Sequence, residues 1–235
     1  MQDCPLRLSY VAPSQLERQW TMEKVDFRSA IAKQPKMLEM ARPRVTAEIE
    51  AALSKVPSSD RRAPIMTGIG ASYYAALTML PYWHQLGLNA HCYSSGELYG
   101  AAQGLADLII AVSASGRSVE PIKALQTLKP AHSIGVACNV ENPLSPYVET
   151  MVSSHCSVDS SPNTASFVGT VQALGILGES MAGVQTERYA MGAELERMTS
   201  TVQAPIREAA SILSRKRSID CVGNAGDYGV AGYGA

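Results

Sequence analysis

Two short stretches of the 235-residue chain concentrate residue types suited to holding an anion without using charge. One reads Gly68-Ile69-Gly70-Ala71-Ser72-Tyr73-Tyr74, the other Ser113-Ala114-Ser115-Gly116-Arg117-Ser118-Val119-Glu120. Each follows a short apolar run and opens a helical pattern. A helix N-terminus presents unpaired N–H groups and a partial positive charge, and small residues let a ligand approach the backbone. The hydroxyls of Ser72, Ser113, Ser115 and Ser118 can each donate to a phosphate oxygen, so the combination suits a phosphomonoester held by neutral donors. The alternative is that these serines only cap helices. Capping accounts for one serine per turn more readily than for three within six residues.

Other motifs fit less well. Gly68-x-Gly70 would open a dinucleotide fingerprint, but its third glycine position holds Tyr73 and the second strand does not end in an acid for a ribose. No Gly-Lys-Ser/Thr occurs, which excludes a P-loop by motif. Asn163-Thr164-Ala165-Ser166 precedes a further helix, either as an N-cap or as backbone lining the same pocket. Glu97 is a candidate for acid–base work, although a first-turn carboxylate is favoured by the helix dipole in any case. These patterns identify no catalytic residue beyond that. His84, His91, His132 and His155 lack metal-ligand spacing, and the five cysteines show no CxxC. Reduced, largely buried thiols are expected, with no metal and no cofactor.

The elements that must position these turns alternate along the chain. Strands are expected at 63–68, 89–93, 107–113, 132–138 and 150–154. Helices are expected at 72–86, from about 96, at 118–128 and at 166–182. This order indicates βαβ units and a parallel sheet covered on both faces, an α/β fold. In such sheets ligands bind at the carboxyl ends of the strands near the point where strand order reverses, which selects the turns after strands one and three. Residues 22–53 have helical spacing broken by Pro35 and Pro43, which predicts two or three short helices. Residues 187–215 read as linking helices interrupted near Pro205. Residues 218–223 are a further strand candidate running into a glycine-rich end that repeats the pattern of 66–76. The expected division is a leader (1–21), N-terminal helices (22–62), a complete α/β domain (63–186), linking helices (187–216) and the incomplete start of a second such domain (217–235).

Composition narrows the partners. The chain is 46% hydrophobic and 17% charged with a formal net charge of −1, which excludes an extended disordered chain. Residues 1–62 carry 11 Lys/Arg and 8 Asp/Glu, whereas 64–186 carry three basic residues against seven acids. Neither bare nucleic acid nor an anionic membrane is expected to bind, since both need a basic surplus on one face, and 1–62 shows no helix-turn-helix. No apolar stretch approaches the roughly 18 residues of a membrane span, and no signal sequence opens the chain. A cytoplasmic protein is the expectation.

The runs Gly70-Ala71-Ser72-Tyr73 and Ser113-Ala114-Ser115-Gly116-Arg117-Ser118-Val119-Glu120, with Cys138-Asn139-Val140 and Thr164-Ala165-Ser166, together resemble the sugar isomerase (SIS) domain family. The likeness extends over residues 28–235. It is nearest to the isomerase half of glutamine:fructose-6-phosphate aminotransferase and to relatives without a glutaminase domain, the amino-sugar phosphate isomerase/deaminases and fructosamine-phosphate deglycases. The resemblance implies a flavodoxin-like five-stranded parallel sheet, usually two such domains per chain, a homodimer, and a sugar phosphate as the small-molecule partner. It assigns phosphate binding to Ser72, Ser113, Ser115 and Ser118 and to the backbone of Ala114 and Gly116. Contact with the sugar falls to Gly70, Ala71, Thr164, Ala165 and Ser166.

The chain also departs from that family. Ala114 stands where the aminotransferases usually carry glutamine, and Phe167-Val168 replaces Thr-Lys. The segment from Val222 to the end looks like the first strand and turn of a second domain, with Tyr233 in place of a usual glutamate and without the catalytic glutamate, histidine and lysine that follow. No cysteine directly follows Met1, so no glutaminase is expected. The resemblance thus implies a protein acting on ketose or amino-sugar 6-phosphates, truncated before its catalytic residues, or else a non-catalytic phosphosugar sensor or partner subunit.

Overall fold

The computed structural model describes residues 26–157, 163–184 and 191–234. The expected leader, with Cys4, lies outside them. Five parallel strands, β1 (Ile65–Gly68), β2 (His91–Ser94), β3 (Leu108–Val112), β4 (His132–Ala137) and β5 (Thr150–Ser153), form one sheet in the order β2-β1-β3-β4-β5. β1 and β3 are buried along their whole length, β3 as a purely apolar run, as expected of strands covered on both faces. The order reverses between β1 and β3, which run side by side with Thr67 opposite Ala111.

Helices α1 (Phe27–Leu53), α2 (Ala71–Gln85) and α4 (Ala165–Ala182) cover one face, and α3 (Val119–Leu128) covers the other. Trp83 of α2 is fully buried in the first core, and its Nε1–H donates to Leu174 O of α4 at 3.0 Å. Leu98, Leu125, Leu128 and Leu144 fill the second core against Ile109 and Ala111. Three helices follow the sheet domain: α5 (Met191–Thr201), α6 (Gln203–Leu213) and α7 (Gly226–Gly234).

Three expectations are corrected. Residues 27–53 form one helix rather than two or three, running through Pro35 and Pro43. Each proline removes one intrahelical bond and locally strains the helix. The stripe Gln34, Leu38, Ala41, Val45, Ile49 and Leu53 nevertheless stays buried without a break, and Gln172 Nε2 of α4 donates to Leu38 O at 3.0 Å. Continuous packing of one face outweighs the local preference to break. The helix expected from 96 is only a single 3-10 turn, Ser95–Leu98, because Gly96, Gly100 and Gly104 favour turns. The strand expected at 218–223 does not form. Among the described residues no strand pairs with it, so Ile219 and Val222 are exposed, Val222 by 92%. The glycine-rich end that follows forms α7 and docks on α2.

Candidate functional site

The turns after β1 and β3 meet where the strand order reverses. The N–H of Ala114 donates to Ser72 Oγ at 3.2 Å across the gap between them. Ser72 lies in the first turn of α2 and Gly70 is its N-cap in a left-handed conformation (φ +54°). Ala71 is the first residue of that helix.

Ser113, at the end of β3, is buried and donates through Oγ to Ser118 Oγ at 3.3 Å. Ser115 Oγ accepts from Arg117 N–H at 3.3 Å, and Gly116 N–H donates to Ser113 O at 2.9 Å, closing the loop into a tight turn. Ala114 O accepts from Cys138 N–H at 2.8 Å, which fixes the loop to the end of β4. Four hydroxyls from two turns are therefore gathered at one place.

The capping alternative can be tested directly on these helices. Ser72 is not an N-cap at all. Ser118 occupies the N-cap position of α3, yet its side chain makes no capping bond. The same holds at Thr164, the N-cap of α4, and Gly70 has no side chain to offer. By contrast Asp26 caps α1, accepting from Ser29 N–H at 3.1 Å. The first-turn N–H groups of α2 and α3 are thus left to a ligand or to solvent.

Glu97 is in the 3-10 turn after β2. Its Oε2 accepts the Ser94 N–H at 2.7 Å in a capping box, the role that the helix-dipole alternative describes. Tyr73 has its phenol pushed above the ordinary tyrosine value by burial, with Cys92 and Glu97 adding to the effect, so it is a neutral hydrogen-bonding group. Three of the four histidines have hydrogen-bonding partners and the fourth a ring contact: His84 Nε2 lies 2.9 Å from Ala90 O, His132 Nδ1 2.9 Å from Glu149, His155 Nε2 2.8 Å from Glu48, and His91 stacks on Tyr93 with centroids 6.3 Å apart. Among the described residues no cluster of three or more His, Cys, Asp or Glu could hold a metal ion.

Thr164, Ala165 and Ser166 begin α4, with Ala165 and Ser166 buried. This turn is joined to the C-terminal helix. Tyr233 OH donates to Asn163 O at 2.7 Å, and its ring stacks on Phe167 with centroids 4.8 Å apart and planes 8° from parallel. Tyr74 of α2 approaches the same ring at 6.5 Å.

Two contacts beside the site escaped the sequence reading. Asn142 buttresses the serine loop: its Oδ1 accepts from Leu144 N–H at 2.9 Å, its Nδ2 donates to Asn139 O at 2.7 Å, and its side chain fills the space beside Gly116. The Asn142-Pro143 pair was a turn signal that could have drawn attention to it. Tyr233 was singled out only as standing in place of a usual glutamate, and its contacts with Asn163 and Phe167 left no signal in its local sequence.

In sequence, no family model and no curated protein matches the chain. Solved structures do match it in fold. The C-terminal domain of glucosamine-fructose-6-phosphate aminotransferase from Francisella tularensis superposes with a TM-score of 0.67 at 18% identity, over 88% of this chain and 64% of that one. Tagatose-6-phosphate ketose/aldose isomerase from Escherichia coli gives 0.65 at 14% identity, over 87% and 60%. Glucosamine-6-phosphate deaminase from Thermotoga maritima gives 0.56 at 19% identity, over 85% and 64%. The chain spans less than two-thirds of each. With the 2-1-3-4-5 parallel sheet and its helical layers, these similarities establish that the chain has the fold of the sugar isomerase (SIS) domain.

Proposed function

We propose that the chain binds a ketose or amino-sugar 6-phosphate at the carboxyl ends of β1 and β3, within residues 63–186, as the phosphosugar-holding part of an isomerase, aminotransferase or deaminase. One observation carries this reading. Helices α2 and α3 begin at the point of strand-order reversal without a side-chain cap, beside a cluster of four serine hydroxyls joined by the Ala114-to-Ser72 bond. Uncapped helix N-termini and hydroxyl donors suit a dianionic phosphate. The named activities of the structural neighbours supply the chemistry of the sugar.

On ligand entry the phosphate takes donors from Ser72, Ser113, Ser115, Ser118 and the N–H groups of Ala114 and Gly116. The last two are engaged internally in this structure, by Ser72 Oγ and Ser113 O. A local rearrangement of the 113–118 turn therefore accompanies binding. The sugar extends toward Gly70, Ala71 and the 164–166 turn.

A second reading is a binding module without catalysis. It is favoured by the cradle itself, in which the hydroxyls and N–H groups are, among the described residues, accompanied by no acid–base pair and Glu97 is engaged in its capping box. Titration calorimetry with glucosamine 6-phosphate, fructose 6-phosphate and glucosamine tests the binding. The phosphorylated sugars should bind and glucosamine should not. Replacing both Ser115→Ala and Ser118→Ala should weaken binding at least tenfold, since a hydrogen bond to a charged group is worth about 1.5–3 kcal/mol. Unchanged affinity would remove the site. A turnover assay with the same sugars separates the two readings.

A further inference from the structure

We propose that a cleft along α1, lined by Lys33, Lys36, Arg44 and His155, is a second anion site that takes a small molecule with two or more negative groups. It is independent of the phosphosugar reading, since none of these residues belongs to the serine cradle. Lys36, Met37, Met40 and Arg44 follow Lys33 at helical spacings, so all five fall on one stripe of α1. His155, just past β5, completes the lining of a cavity of about 400 Å3. That volume lies within the range of small-molecule pockets, about 300–1,000 Å3.

Charge decides what the cleft takes. Among the described residues no carboxylate lines it, and the side chains of Lys33, Lys36 and Arg44 have neither an ion pair nor a hydrogen bond. Lys33 and Lys36 are like charges one turn apart, an arrangement that works against the helix unless an anion joins them. The nearby carboxylate, Glu48, is committed elsewhere: its Oε2 accepts from Ser153 N–H at 2.6 Å and its Oε1 lies 2.8 Å from His155 Nε2. His155 N–H also donates to Ser153 Oγ at 3.0 Å, which fixes this residue at the cleft in a left-handed conformation (φ +52°) that L residues rarely adopt. Met37 and Met40 line the cleft between the lysine pair and Arg44. Lys36 and Arg44 are about 12 Å apart along the helix axis, a gap their long side chains can narrow, so a molecule with negative groups at both ends meets both and a single phosphate does not.

The test titrates tripolyphosphate, citrate and orthophosphate by calorimetry at low salt, where charge pairing is least screened. The full chain carries Ser115→Ala and Ser118→Ala, which weaken the serine cradle as a competitor. Tripolyphosphate should bind at least about tenfold more tightly than orthophosphate, and adding Lys36→Ala with Arg44→Ala should weaken it about tenfold. Removing the same charge outside the lining, with Arg207→Ala and Lys216→Ala, should leave it within about twofold. All four replaced side chains are exposed, so each variant should keep its fold. Citrate as tight as tripolyphosphate assigns the site to multiply charged anions in general, and weaker citrate assigns it to polyphosphates; either result supports the site.

Failure of both tripolyphosphate and citrate to bind overturns the inference, as does unchanged affinity in the Lys36→Ala, Arg44→Ala chain or an equal loss in the Arg207→Ala, Lys216→Ala chain. With the serines intact, glucosamine 6-phosphate should bind equally well with and without the Lys36→Ala, Arg44→Ala pair. A matching loss there would mean one site rather than two and also overturns the inference. A parent that does not bind glucosamine 6-phosphate overturns the phosphosugar reading only.

Discussion

Gly116→Ala is expected to destabilise the serine loop by an amount that can be worked out from two separate contacts. Gly116 has φ +67°, where an L side chain costs about 1–2 kcal/mol. Its new Cβ would lie 2.1 Å from Asn142 Oδ1 and 2.6 Å from Asn142 Cβ, so Asn142 must leave its place. Asn142 is 8% exposed and makes the bonds to Leu144 N–H and Asn139 O, each worth about 1 kcal/mol.

Together these contacts give a loss of about 3–4 kcal/mol. With a urea m-value of about 2 kcal/mol/M the unfolding midpoint falls by about 1.5–2 M. A double-mutant cycle with Asn142→Gly, which removes the Asn142 Cβ as well, isolates the steric part. In that background the clash is gone and Gly116→Ala should cost only the backbone share of about 1–2 kcal/mol, giving a coupling of at least about 1 kcal/mol. A midpoint shift below about 0.3 M, or strictly additive costs, would refute the reasoning that Asn142 holds this turn.

Two further outcomes are expected. Gly178→Ala places a Cβ 2.4 Å from Trp83 Nε1, and the ring cannot retreat because it is fully buried and bonded to Leu174 O. The overpacking should cost about 1–3 kcal/mol and lower the calorimetric Tm by about 3–10 °C; a change within about 1 °C would contradict the packing. Burial, and to a lesser degree Glu97, pushes the Cys92 thiol up to about 12, whereas Cys221 is exposed. Brief iodoacetamide treatment of the folded protein at about pH 8, read by peptide mass spectrometry, should therefore label Cys221 and spare Cys92, Cys138 and Cys156. Prompt labelling of Cys92 would show that β2 is not packed as described.

The alternation of short apolar runs with glycine and serine turns was legible because it is local. A run such as Leu108–Val112, buried on every side chain, can only be a strand covered on both faces, and the turns after β1 and β3 are named by their own residues. That is why the sequence alone determined the α/β class and the order of the five strands up to residue 154 along the chain.

What it could not determine depends on partners distant in the chain. Pro35 and Pro43 argue locally for a break, and only the buried stripe of α1, together with the Gln172 bond to Leu38 O, keeps the helix whole. Residues 218–223 are apolar enough for a strand but, among the described residues, lack a neighbouring strand to take their N–H and C=O groups, so they remain irregular. Whether Ser118 capped α3 depended on where its hydroxyl stood relative to Ser113 and to the helix start. Tertiary structure alone placed Asn142 beneath Gly116 and Tyr233 over Phe167, because packing across 26 and 66 positions of sequence leaves no periodicity for a local pattern to reveal.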